Sequence, residues 1–388
     1  MLAQPPLSLY IHIPWCVKKC PYCDFNSHEF GARKALPQDE YIEALCADFD
    51  ADYALASLTR PIHSIFIGGG TPSLFEAAAF DRLLQHIART QERGWLESPL
   101  LEITLEANPG TLEAGRFAEF RAAGINRLSI GIQSFADEQL ARLGRIHDAA
   151  QARRAIDSAR TAGFENFNLD LMHGLPEQSL AAALADLEPA LSFEPPHLSW
   201  YQLTIEPNTV FYSKPPPLPS ESILTSVQDA GHALLAARGL SQYEVSAYAR
   251  EESAQSAHNL NYWQFGDYLG IGAGAHGKIT LTDGSLPLRT RKHRQPDHYL
   301  RREGFMAEAK AIPGDEIALE FLLNTLRTRR GFTPAQFEAR TGAAFSTIAE
   351  RVEYLRSKQL LAASSAHEGI TTTERGFKFL NNVLEEFL

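Results

Sequence analysis

Six short runs of β-forming residues recur through the first 205 positions, separated by stretches with helical spacing, and this alternation constrains the fold most. The runs cover residues 7–13, 64–67, 101–106, 127–133, 166–172 and 198–205. Helical spacing fits residues 39–56, 76–90, 112–123, 149–162 and 180–191. Strands linked through helices run parallel, because the crossover returns the chain to the same end of the sheet. The expectation is an α/β fold, a partial barrel of six β/α units. Alternation inside the strands adds a second constraint. Glu102, Thr104 and Glu106 share one face, as do Ser129, Gly131 and Gln133 on the next strand, and Asn168 and Asp170 on the fifth. The opposite faces are Leu, Ile and Phe, suited to packing under helices. Glu106, Gln133 and Asp170 fall near the C-terminal strand ends, where parallel barrels carry their sites. A hydrogen-bonded polar core would use the same residue types. Three successive strands ending this way favour a ligand site.

The first run leads directly into Cys16, Cys20 and Cys23, spaced C-x3-C-x2-C. Three of the four cysteines thus fall within eight residues. Thiolates this close usually hold metal. Three of them leave one iron of a cubane cluster free for another ligand. The alternative is structural zinc with His12 or His28 as a fourth ligand. Cys46 lies on the apolar face of the 39–56 helix with Ile42, Leu45, Phe49 and Tyr53, and reads as core. The second run closes in Gly68-Gly69-Gly70-Thr71-Pro72. Three glycines let backbone N–H and C=O groups meet a ligand without side chains in the way. No Lys follows, so this is no phosphate loop.

These features together resemble the radical S-adenosylmethionine (SAM) superfamily. The resemblance implies a [4Fe-4S] cluster on Cys16, Cys20 and Cys23, with SAM chelating the free iron. It also implies that the Gly69, Gly70 and Thr71 turn meets the methionine amino group of SAM. Charge logic and the resemblance together suggest the remaining contacts. Glu106 suits the ammonium, Arg145 the carboxylate, and Gln133 and Asp170 the ribose hydroxyls. Tyr22 and Tyr10 lie beside the thiols, where related enzymes contact SAM.

Within the superfamily, the chain is similar end to end to the branch of oxygen-independent coproporphyrinogen III oxidase. The matching stretches are Tyr10-Ile11-His12-Ile13-Pro14-Trp15-Cys16, Gly131-Ile132-Gln133-Ser134-Phe135, Arg142-Leu143-Gly144-Arg145 and Asn168-Leu169-Asp170-Leu171-Met172-His173-Gly174-Leu175-Pro176. The oxidases extend the cysteine motif to a fourth, C-x3-C-x2-C-x-C; here that position is Phe25. The Phe25 ending and His258-Asn259-Leu260-Asn261-Tyr262-Trp263 resemble instead the heme chaperones of the branch. That likeness implies heme as cargo, an acceptor protein the sequence does not identify, and His258 as iron ligand, with His276 as runner-up. Tyr262, Trp263 and Phe265 would offer apolar surface to the macrocycle. Arg289, Arg291, Lys292 and Arg294 would meet its propionates. The competing expectation is the oxidase reaction itself.

The rest of the chain divides into a core barrel over residues 1–241, a connecting segment over 242–312 and a small C-terminal domain over 313–388. Residues 213–220 are Pro-rich and read as a stiff surface loop. In the C-terminal part, helices over 333–340, 344–358 and 374–388 flank short strands over 360–363 and 369–372, an order like a winged helix. Its charges, ten acidic against nine basic, argue against a DNA-reading role. The whole chain carries a net charge of −11, which argues against nucleic acid as a partner. No apolar run reaches the ~18 residues of a membrane helix. The N-terminus lacks a basic n-region and a cleavage pattern. Four cysteines in 388 residues do not make a disulfide framework. A cytoplasmic location is therefore expected.

Overall fold

Strand β1, Leu7–Ile13, sets the pattern for the whole sheet. Leu7, Leu9, Ile11 and Ile13 are fully buried on one face, while Ser8, Tyr10 and His12 point to the other. The computed structural model describes residues 2, 4–30, 36–56, 60–111, 115–281, 286–301, 304–363 and 369–388. The same alternation repeats in β2 (Ile62–Gly69), β3 (Glu102–Ala107), β4 (Arg127–Gln133), β5 (Phe167–His173) and β6 (His197–Gln202). These six strands pair in sequence order, all parallel. The register aligns the polar rows: Ser8 faces Ser64, Glu106 faces Ser129, and Asp170 faces Ser199.

Helices cover the apolar face. They include α1 (Gln38–Leu55), α2 (Ala77–Ala88), α3 (Arg116–Ala122), α4 (Asp137–Arg142), α5 (Ala149–Thr161) and α6 (Leu180–Ser192). Residues 112–114 of the expected third helix lie outside the described residues. Leu9, Ile65, Leu105, Ile130 and Leu169 from the strands join Phe80, Leu83, Phe120 and Ile156 from the helices in one core. Each such side chain contributes about 1.5–3 kcal/mol through burial. After α7 (Val210–Ser213) and the Pro-rich segment comes α8 (Glu221–Ala237), which the sequence reading did not anticipate. Gly231 lets α8 lie against Trp200, since a Cβ there would fall 1.9 Å from the indole ring.

The sheet continues beyond the six expected strands. β7 (Ser241–Glu244) and β8 (Ala247–Ala249) extend it past β6. After α9 (Ala257–Trp263), β9 (Asp267–Ile271) pairs parallel with the free edge of β1. Strands β10 (His276–Ile279), β11 (Leu288–Lys292) and β12 (Met306–Ala311) follow antiparallel. The stretch read as a connecting segment is thus one wing of a sheet that has twelve strands among the described residues. Buried ion pairs fasten that wing. Lys292 Nζ reaches Asp48 Oδ1 at 2.5 Å and Asp52 Oδ1 at 2.6 Å on α1. Asp267 binds Arg60 and Lys278. Removing one partner of such a pair costs about 3–5 kcal/mol, because a buried charge is left uncompensated.

The C-terminal helices Gly314–Thr325, Pro334–Thr341 and Ser346–Ser357 surround Phe321, Phe332, Phe337 and Leu355. The two expected short strands appear as single bridges, Phe332 to Ile370 and Leu361 to Thr372. The last expected helix is broken at Phe379 into Glu374–Lys378 and Leu380–Glu385. No helix among the described residues is long and apolar enough to cross a membrane.

Candidate functional site

The thiol loop is clamped to the end of β1. Trp15 and Cys16 pair with His28 and Glu29 in a two-stranded ribbon, closing residues 17–27 into a loop. The glycine run of β2 lies directly against it. Gly70 N–H donates to the Ile13 carbonyl at 2.8 Å and Thr71 N–H to the Trp15 carbonyl at 2.7 Å. A Cβ on Gly70 would fall 2.5 Å from the Trp15 oxygen, and Gly69, at φ +114°, has no room beside the His12 ring. The glycines therefore serve close backbone approach.

Cys16 is buried, and burial pushes its thiol up to about 11, against a hydrogen bond from Thr71. Cys20 accepts a hydrogen bond from Arg145 Nη1 at 3.6 Å, and Cys23 Sγ lies 3.6 Å from Ser27 Oγ. All three thiols line one cavity of about 300 Å3 with Tyr22, Glu106, Gln133, Arg145 and Asp170. Cys46 sits elsewhere, half-buried on α1. Among the described residues, no three His, Cys, Asp or Glu side chains converge on a single-ion position. Neither His12 nor His28 lines the thiol cavity.

The cavity's acidic wall fits a cationic ligand. Glu106 accepts from Gly69 N–H at 3.0 Å, and its carboxyl is raised to about 7 by burial and then by Asp170. Asp170 is also raised by burial, although Ser129 and Asn168 donate to it at 2.9 and 2.7 Å. Neither carboxylate forms a salt bridge among the described residues. Glu106 feels no cation among the described residues and Asp170 feels only Arg145, an arrangement that suits an added ammonium or sulfonium group. Arg145, held by the Gly131 carbonyl at 2.8 Å, keeps its buried Nε without a partner. Gln133 stands in the left-handed region at φ +68°, beside a register shift in β4, and accepts from Tyr201 O–H at 2.7 Å. Strain of this kind concentrates at functional sites. Tyr201 of β6 also lines the cavity; it belongs to the row His197, Ser199 and Tyr201, a polar alternation that the sequence reading left unused.

A second, larger cavity of about 870 Å3 adjoins the first. Gly69, Glu106, Ser129, Asp170 and Phe25 line both. Tyr10 belongs to the larger one, with its hydroxyl donating to His12 Nδ1 at 2.8 Å. His12 Nε2 meets the Asn26 carbonyl at 2.9 Å, so that nitrogen carries the proton. His258, Tyr262 and Trp263 of α9 form part of the wall. Glu102 caps α9, accepting from the N–H groups of Ala257 and His258 at 3.1 Å each. His258 is stacked on Phe66 at 5.2 Å, and burial lowers its pKa to about 3. Three expectations need correction. Phe265 is packed in the C-terminal core against Phe321, not in the cavity. Lys292 is spent on Asp48 and Asp52, and Arg289 pairs with Glu320. Of the basic run, Arg291 and Arg294 face the cavity, and His276 stands beside them.

Comparison with known proteins places this geometry. The model of the radical SAM superfamily matches residues 10–187, and that of the HemN C-terminal domain matches residues 312–379. The structure of coproporphyrinogen III oxidase (HemN) from Escherichia coli superposes with a TM-score of 0.80, covering 99% of this chain and 90% of that one. At 23% identity this speaks for the fold alone. The heme chaperone HemW of Escherichia coli is 48% identical over 100% of both chains. HemW of Haemophilus influenzae is 48% identical over 99% of this chain and 98% of its own. HemW of Bacillus subtilis is 34% identical over 98% and 99%. Full-length identity at this level, on a radical SAM fold with its three thiols at one cavity, makes the chain a member of the HemW family.

Proposed function

We propose that this protein is a heme chaperone, which holds heme and passes it to an acceptor protein. The observation that carries the reading is the 870 Å3 cavity joined to the thiol cavity through a common wall, in a chain 48% identical to HemW proteins throughout. A cavity of that size falls in the range of roughly 300–1,000 Å3 used for small molecules and cofactors. In this reading Cys16, Cys20 and Cys23 hold a [4Fe-4S] cluster. Glu106 takes the SAM ammonium, Arg145 its carboxylate, Gln133 and Asp170 its ribose, and Gly69, Gly70, Thr71, Tyr22 and Tyr10 shape the surroundings. A bound cluster supplies single electrons to bound SAM. The chain's own part is to orient SAM between the thiols and the acidic wall and to keep the two cavities in contact.

Heme occupies the larger cavity, with His258 in its wall as an iron ligand once Tyr262 turns from its Nε2. In this reading residues 242–312 add one wall of the heme cavity to the core of residues 1–241, and residues 313–388 form an appendage with a core of its own. Absence of a membrane-spanning helix among the described residues accords with work in the cytoplasm. The test is a hemin titration of the anaerobically reconstituted protein, followed by transfer to an apo-hemoprotein. Stoichiometric binding and transfer are expected; no hemin binding refutes the reading. The oxidase is the second reading, favoured by the three thiols at a cavity that shares a wall with the larger one. Conversion of coproporphyrinogen III by the reduced protein with SAM would establish it.

A further inference from the structure

His258 is poorly placed to receive iron from outside. It is 1% exposed, and both its ring nitrogens are engaged. Nδ1 lies 3.1 Å from Ser64 Oγ, and Nε2 lies 3.0 Å from Tyr262 O–H. Iron reaches Nε2 only after Tyr262 has turned away.

The opposite wall of the same cavity is built otherwise. His276 opens β10 with its side chain exposed, and its ring makes no hydrogen bond among the described residues. Its cross-strand partner is Arg291, so the two side chains stand on one face of the sheet. Arg291 pairs with Glu308 at 3.2 Å near the surface, a contact of little energetic weight, and its Nε is buried without a partner. Arg294 lines the cavity beside it and makes no salt bridge among the described residues. Partial burial and the neighbouring arginines lower the His276 pKa, so its lone pair is free near neutrality.

Phe25 faces this group from the thiol loop, 60% exposed. The loop cannot swing away easily. Asn26 Nδ2 donates to the carbonyls of Ala273 and Arg294, both at 2.9 Å, and a Cβ on Gly274 would fall 2.3 Å from that nitrogen. An iron macrocycle with two carboxylates needs a flat apolar surface, cations at one edge and a nitrogen with a free lone pair. The mouth of the cavity holds all three.

We infer that His276 is an axial ligand of the bound heme at this mouth, with Phe25 against the macrocycle and Arg291 and Arg294 on the propionates. The inference rests on the heme reading above and adds to it the group that meets iron first on entry and releases it last. An exposed ligand can be displaced by an acceptor's nitrogen without opening the barrel.

The test uses full-length, reconstituted protein titrated with hemin, read as difference absorbance against the same protein without hemin. His276→Ala should shift the Soret band and weaken hemin binding at least tenfold, and added imidazole should restore the band. Iron-free protoporphyrin IX should bind wild type and His276→Ala equally, which separates ligation from folding. Arg291→Gln with Arg294→Gln should weaken hemin but leave its dimethyl ester unaffected. A wild-type spectrum and affinity in His276→Ala would overturn the inference while leaving the chaperone reading intact. A wild-type protein that binds no hemin would overturn both.

Discussion

Replacing Glu106 by Gln should move stability and ligand affinity in opposite directions. Glu106 has no cation beside it among the described residues, and its carboxyl is raised from 4.5 to about 7. A raised carboxyl means that the folded state binds more protons than the unfolded chain. Stability is therefore lost as pH rises from the unfolded value toward the folded one. That rise of some 2.5 pH units corresponds to about 3 kcal/mol. The side chain keeps part of its surface open to the cavity, so solvent screening places the effect nearer 1–3 kcal/mol, on the order expected for a partly wet site. Gln keeps an acceptor for the Gly69 N–H and removes the charge. The metal-free Glu106→Gln protein should then melt higher than wild type at pH 8, and the gap should close at pH 5. SAM binding should suffer, because a charge-assisted bond contributes about 1.5–3 kcal/mol, or roughly 10- to 150-fold in Kd. Wild-type affinity for SAM should also fall as pH drops below 7, whereas the variant's should stay flat. Thermal unfolding at the two pH values and calorimetric SAM titration test both halves. A variant that melts lower than wild type at pH 8, or binds SAM as tightly, would refute the argument.

Three further outcomes follow. Cys16→Ala, Cys20→Ala and Cys23→Ala should each abolish the brown [4Fe-4S] absorbance of reconstituted protein, while Cys46→Ala, on α1 and away from the cavity, should not; iron content and visible spectra decide it. Gly70→Ala should displace the thiol loop, since its methyl would meet the Trp15 carbonyl at 2.5 Å, and should lower cluster occupancy after reconstitution. Lys292→Met should destabilise the protein by about 3–5 kcal/mol, because Asp48 and Asp52 would remain buried without their cation; a melting point within a degree of wild type would contradict this.

The parts of this fold that were legible in the sequence are those whose signal is local. Leu7 to Ile13 alternates cleanly and was read with its boundaries intact, as was Arg127 to Gln133. The polar rows ending in Glu106, Gln133 and Asp170 led to one cavity because strand periodicity carries orientation as well as structure. The remainder depends on distant partners. Leu288 to Lys292 reads as a charged surface run; only Asp48 and Asp52, some 240 positions earlier, make Lys292 an interior residue. Asp267 to Ile271 is only five residues long and includes Asp and Gly, both poor strand formers, so it does not announce a strand until the edge of β1 is there to receive it. Phe265 lies two residues beyond the His258–Trp263 motif, yet a left-handed φ of +57° turns the chain there and sends the ring into the C-terminal core.

The pairing of β1 with β9 also has a consequence during synthesis. The first strand of the chain waits for Asp267–Ile271 to be translated before its second edge is covered. At about 5–20 residues per second the interval is roughly 13–50 s. For that time an apolar strand with unpaired N–H and C=O groups stands beside a nascent polypeptide, a ready template for intermolecular association. A sheet assembled from such remote segments also folds slowly. Yield in the cell should accordingly depend on ribosome-associated chaperones, more so than for a barrel that closes on its own six strands.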